Sequence, residues 1–154
     1  MINEFALLIY STRNNLCCDV PSMTETHKYV DDFIHLLFPL KDNKNLSLRD
    51  IQMHLDRMRL KLKELLIPLE KELERSPEEI AADFFTQLPA VYKLLLSDAE
   101  TFNQSDPAAK RVEEIILCYP GFYCLTVYRL AHILNKMNVP VLPRIMSIFT
   151  HYPG

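Results

Sequence analysis

Residues 47–80 read SLRDIQMHLDRMRLKLKELLIPLEKELERSPEEI, and the spacing of their apolar positions decides the fold class. Ile51, Leu55, Met58, Leu62, Leu65, Leu66, Leu69 and Leu73 recur at three- and four-residue steps, the stripe of an amphipathic helix. Ser47 stands at its start with Asp50 three residues on, the spacing of a capping box. Pro68 lies inside the pattern, where it removes a backbone donor and crowds the carbonyl four residues earlier. A kink or break is therefore expected near Ile67. Ser76-Pro77-Glu78-Glu79 then opens a further helix, with a capping hydroxyl, a proline in the first turn and acids at the positive end of the dipole. On the far side of the long helix, Arg57, Arg59, Lys61 and Lys63 alternate with Asp56, Glu64 and Glu70, which reads as a solvated face.

The same logic extends in both directions. Ser22-Met23-Thr24-Glu25 has capping-box spacing, and Val30, Phe33, Ile34, Leu37 and Phe38 follow on one helical face up to Pro39. Residues 5–10 are apolar but short, open to helix or extended chain, and residues 13–21 read as a loop. The polar run 41–45 reads as a linker. Ile80, Phe84 and Leu88 run to Pro89, which is expected to begin another helix holding Val91, Leu94, Leu95 and Phe102. Asp106-Pro107-Ala108-Ala109 repeats the start pattern with Asp106 as the capping residue. Tyr119-Pro120-Gly121 interrupts, residues 122–137 form a helix with two apolar sides, and Pro140 and Pro143 frame a tight corner. Six or seven helices and no convincing strand make the class all-α.

Composition agrees. The chain has 154 residues with ten prolines and only two glycines, Gly121 and Gly154. Folds that depend on positive-φ turns, such as a G-x-G-x-x-G dinucleotide loop or hairpin-rich sheets, need more glycine than this. A formal charge of -3, with Lys and Arg scattered among acids, gives no basic stripe for nucleic acid. The longest uncharged stretch, 115–128, is too short to span a bilayer and is broken by Pro120-Gly121. With no basic n-region at the N-terminus, the expected setting is the cytoplasm, away from membranes, with reduced thiols.

Metal and nucleophile readings find little support. His27, His35, His54, His132 and His151 include no pair at the spacing that sets two ligands on one helix face. Cys17, Cys18, Cys118 and Cys124 have no metal-ligand spacing, and the last two read as buried structural thiols. Arg129 and His132 lie three apart beside Tyr128 and read first as a structural network, with Arg129 stacking or pairing with an acid. Asp106 is the carboxylate of interest. As a cap it accepts the amide of residue 108 or 109, while its second oxygen remains available to an ammonium ion.

Five motifs occur in order: Asp106-Pro107-Ala108-Ala109, Glu113-Glu114-Ile115-Ile116, Tyr119-Pro120-Gly121-Phe122, Tyr128-Arg129-Leu130-Ala131-His132, and Val139-Pro140-Val141-Leu142-Pro143-Arg144. Together they closely resemble the bacterial serine acetyltransferases, and the resemblance extends over about residues 20–150. It implies an enzyme that moves the acetyl group of acetyl-CoA to the hydroxyl of L-serine in cysteine synthesis. It also implies a helical N-terminal domain followed by a left-handed β-helix of hexapeptide repeats, whose histidine is the general base. Asp106 matches the aspartate that reaches the substrate serine from the helical domain.

The family pattern then continues into hexapeptide coils, whereas this sequence reads Thr150-His151-Tyr152-Pro153-Gly154. His151 matches either a histidine preceding the β-helix or a remnant of its lead-in, and neither assignment makes it the catalytic base. The expected organisation is an N-terminal segment, 1–20, the helical domain, 21–150, and a truncated lead-in to the β-helix, 151–154. No cofactor is expected to be bound by this chain, acetyl-CoA being the co-substrate of the complete enzyme. Self-association is expected, with residues 47–75 and 115–128 as candidate surfaces. No catalytic residue is assigned, and no acetyl transfer is expected from the chain alone. The rival expectation is a stand-alone helical scaffold, for which Asp106 would do nothing beyond capping.

Overall fold

Three serine caps set the frame. In the computed structural model, which describes residues 1–16, 19–38 and 45–148, the hydroxyls of Ser22, Ser47 and Ser76 each accept the amide three residues on. Ser47 with Asp50 and Ser76 with Glu79 close full capping boxes. Among the described residues there are seven α-helices and no strand. They are α1 (Ile2–Asn15), α2 (Met23–Leu37), α3 (Leu48–Leu66), α4 (Pro77–Ser105), α5 (Val112–Cys118), α6 (Pro120–Lys136) and α7 (Leu142–Ile148). The all-α expectation holds. Pro39 and most of the 41–45 run, like residues 149–154, lie outside the described residues.

The two internal prolines behave differently. Pro68 ends α3 at Leu66 and turns the chain into a 3-10 helix, Ile67–Glu72, as the pattern predicts. Pro89 does not begin a helix: α4 runs through it from Pro77 to Ser105. Pro89 is exposed, and the carbonyl that loses its donor is that of half-buried Phe85, one turn earlier. Phe84, Leu88, Leu95 and Ala99 meanwhile keep one buried face across it. Packing on that face outweighs the local cost. The first apolar run is helical, as α1, and extends into the stretch expected to be a loop; none of its residues is buried.

Two hydrophobic clusters hold the helices. The larger joins α2, α3, α4, α6 and α7 through Phe33, Leu62, Leu66, Phe84, Leu130 and Leu142, all at most 1% exposed. The smaller comprises Phe38, Leu95, Ala99, Ile115 and Phe122. The charged side of α3 is exposed, as its alternation suggests, and is also tied to its neighbours. Lys61 reaches Asp32 on α2, and Arg59 and Lys63 both reach Glu78 on α4.

The corner between α6 and α7 is tight. Asn138 and Val141 have φ of 56° and 61°, and the Leu142 amide donates to the Pro140 carbonyl at 2.6 Å. That is a γ-turn centred on a β-branched residue, a strained conformation. Pro140 and Pro143 leave the chain few alternatives there.

Candidate functional site

Asp106 and Tyr119 each precede a proline, and each closes a helix. A residue before proline is pushed out of the α region, so α4 ends at Ser105 and α5 at Cys118. Asp106 has φ -109° and ψ 108°, and Tyr119 has φ -93° and ψ 111°, both extended. The two corners meet: the Tyr119 hydroxyl donates to Asp106 Oδ2 at 2.5 Å. The smaller cluster, with Ile115 and Phe122 buried on either side of Tyr119 in sequence, fixes the phenol at this point.

Asp106 is the C-cap of α4 and not the N-cap of the helix that follows; that position is Arg111. Its Oδ1 accepts the Ala108 amide at 2.8 Å and its backbone carbonyl accepts the Ala109 amide at 3.1 Å, which makes a side-chain-closed turn. The next helix begins only at Val112, where the Glu114 carboxylate takes the Lys110 amide. The expected acceptance from residue 108 is found, but in a turn that follows α4 rather than at a helix start. The second oxygen is also engaged, by Tyr119. Each carboxylate oxygen has two lone pairs, so one site on each remains for another donor. The Tyr119 hydrogen bond first, then the Ala108 amide, hold the Asp106 carboxyl below its ordinary range, and the same contact pushes the Tyr119 phenol up. The sequence reading placed Tyr119 only in a corner motif. Its repeat of the pre-proline pattern at Asp106 is the signal that could have paired them.

Arg129 and His132 part company. Arg129 Nε donates to Asp98 Oδ2 at 2.7 Å, tying α6 to α4 as a structural network. His132 stacks on Tyr128, with ring centroids 5.5 Å apart and planes at 18°. That pair lines a cleft of about 300 Å³ between α6 and α7, together with Asn135, Arg144 and Ser147. His27 Nε2 lies 3.1 Å from the Ile145 carbonyl. The thiol expectation needs correction: Cys118, the last residue of α5, is exposed, and Cys124 is only half-buried. Cys17 and Cys18 lie outside the described residues. Among the described residues no group of three His, Cys, Asp or Glu side chains could hold a metal ion. No described helix is long and apolar enough to cross a membrane.

No family model matches the chain. Individual relatives do. A plasmid-borne serine acetyltransferase of Synechococcus elongatus is 38% identical over 79 residues, 51% of this chain and 25% of that protein. The Helicobacter pylori serine acetyltransferase is 46% identical over 48 residues, 31% of this chain and 28% of that protein. The chain thus spans about a quarter of the length of the curated relatives it matches. Among solved structures, serine acetyltransferase 1 of Entamoeba histolytica in complex with L-cysteine superposes with a TM-score of 0.68 at 25% identity. The match covers 79% of this chain and 45% of that one. In sequence over about half its length, and in its all-helical fold over most of it, this chain is similar to the serine acetyltransferases.

Proposed function

We propose that this chain is the helical N-terminal domain of a serine O-acetyltransferase and that Asp106 binds the ammonium group of L-serine. The observation that carries the reading is the Asp106 carboxylate. Two donors from separate corners fix it, it is kept ionised, and an acceptor site on each oxygen is left over. A fixed anion of that kind pairs with an ammonium and so sets where the serine hydroxyl lies. The helical likeness to serine acetyltransferases supports the same assignment. Acetyl-CoA is the co-substrate of the complete enzyme on this reading, and no residue of this chain is assigned to it or to the general base. Self-association in the cytoplasm belongs to the same proposal. Most of the α3 stripe expected to serve it is spent on the chain's own core, and Leu48, Ile51, Met53 and Leu60 are the exposed large apolar residues of that helix.

The test is carboxylate NMR. L-serine is expected to shift the Asp106 carboxyl resonance, whereas N-acetyl-L-serine, which has no ammonium, is not. Asp106→Asn, which keeps the acceptor for Ala108 but loses the charge, should weaken serine binding by about tenfold. A pairing that needs the ionised carboxylate is complete above the ordinary carboxylate range and fades as pH falls through the depressed Asp106 value. Tyr119→Phe should raise that acid limb. Serine affinity indifferent to Asp106→Asn would support a scaffold instead. The pure chain is expected to transfer no acetyl group, and serine-dependent release of thiol from acetyl-CoA would overturn that.

A further inference from the structure

α1 is a helix with no core of its own to rest on. None of its residues is buried, and its large apolar side chains run from 42% exposed at Ile9 to 85% at Ile2. A helix of 14 residues is marginal in water on its backbone hydrogen bonds alone. Helices of this length take their stability from an apolar face set against something else.

α1 has such a face. Ile2, Phe5, Ile9, Thr12 and the C-cap Leu16 recur at steps of three, four, three and four residues, a heptad seam. The opposite side of the helix holds Asn3, Glu4, Leu7, Ser11 and Asn14. Neither charge of α1, Glu4 or Arg13, stands on the seam. An uncharged seam meets no repulsion when it meets its own copy. A membrane surface fits it less well, because helices that lie on anionic lipid carry Lys and Arg on the polar side. Here that side carries Glu4 and no base, on a chain of formal charge -3.

The seam also complements itself. In an antiparallel pair on a two-fold axis, Phe5 lies against the partner's Ile9 and Ile9 against the partner's Phe5, with Ile2 and Thr12 in the outer layers. The same order sets the positive end of each helix dipole beside the negative end of the other. Two such faces together cover on the order of 1,000 Å², enough for a specific contact and below the standard size of a permanent one.

We propose that α1 is a self-association helix, which pairs antiparallel, seam to seam, with α1 of a second copy of this chain. The pairing gives the self-association proposed above a definite surface, yet it rests on α1 alone and not on the serine assignment. α1 also precedes residues 20–150, over which the motifs resemble serine acetyltransferases.

Sedimentation velocity of the full chain over a dilution series is the test. A reversible dimer with a dissociation constant in the micromolar range is expected, and far-UV circular dichroism should lose helix as it dilutes to monomer. Phe5→Glu and Ile9→Lys should each weaken the dimer about a hundredfold, since a two-fold interface counts every change twice. Mixed in equal amounts, these two variants should recover dimer to within about tenfold of the parent, the new carboxylate facing the new ammonium. Leu7→Lys, on the opposite side, should leave the dimer unchanged. None of the three residues is buried, so every variant keeps the core. A chain that stays monomeric at millimolar concentration would overturn the proposal, as would a mixture that stays monomeric. So would a dimer that Leu7→Lys weakens as much as Ile9→Lys, or α1-dependent binding of the monomer to vesicles of mixed phosphatidylcholine and phosphatidylserine. A dimer indifferent to Phe5→Glu but broken by Leu60→Lys would also overturn it, and would move self-association to α3 without touching the serine reading.

Discussion

Phe33→Ala is expected to lower folding stability by about 4 kcal/mol, read as a shift in the midpoint of chemical denaturation. Phe33 is fully buried, and its ring lies 5.8 Å from Tyr29, 6.1 Å from Phe84 and 5.8 Å from Phe85. Truncation removes the apolar area and leaves a void walled by three aromatic rings, which cannot close without moving α2 against α4. A loss of this size is a large part of the stability of a domain, typically about 5–15 kcal/mol. Phe33→Leu should recover roughly half, since it refills volume without the edge contacts. A change below about 1 kcal/mol for the alanine variant would show that α2 does not rest on this ring in solution.

The second large effect belongs to Arg129. Arg129→Ala should cost about 2 kcal/mol, because it leaves the half-buried Asp98 carboxylate without its partner. The two side chains are 26% and 23% exposed, well apart from the exposed pairs on α3, whose loss should cost under about 1 kcal/mol. A double-mutant cycle with Asp98→Ala separates pairing from packing, and a coupling of about 1–2 kcal/mol is expected. It should change little with added salt, since screening reaches sheltered pairs poorly. Zero coupling would mean that the guanidinium contributes only its apolar stem.

Pro68 and Pro89 show how far local pattern reaches. Each interrupts an apolar stripe, yet one ends a helix and the other lies within one. What separates them is tertiary. Beyond Pro89 the buried face resumes at Leu95 and Ala99, while beyond Pro68 only Leu69 is buried before a run of charge. The serine caps were legible because their hydrogen bonds span three residues. The Asp106–Tyr119 contact was not, because it spans thirteen and depends on how α5 folds back. Arg129 had a foreseeable kind of partner, an acid across an interface, but nothing in the sequence singles out Asp98. The same holds for Cys118, which is exposed although the residues around it in sequence are apolar.

The division of the interior into two clusters separates the durability of the fold from that of the Asp106 corner. Phe38, Leu95, Ala99, Ile115 and Phe122 form a minor core, and Ile34, Leu37 and Val91 touch both it and the major one. A small cluster under a short helix opens at a lower free energy than the core it adjoins. The Asp106–Tyr119 contact can therefore break and re-form while α2, α3 and the first half of α4 stay folded. Occupancy of that corner by a ligand is then linked to closing α5, and binding there would be felt as order rather than as a change of shape.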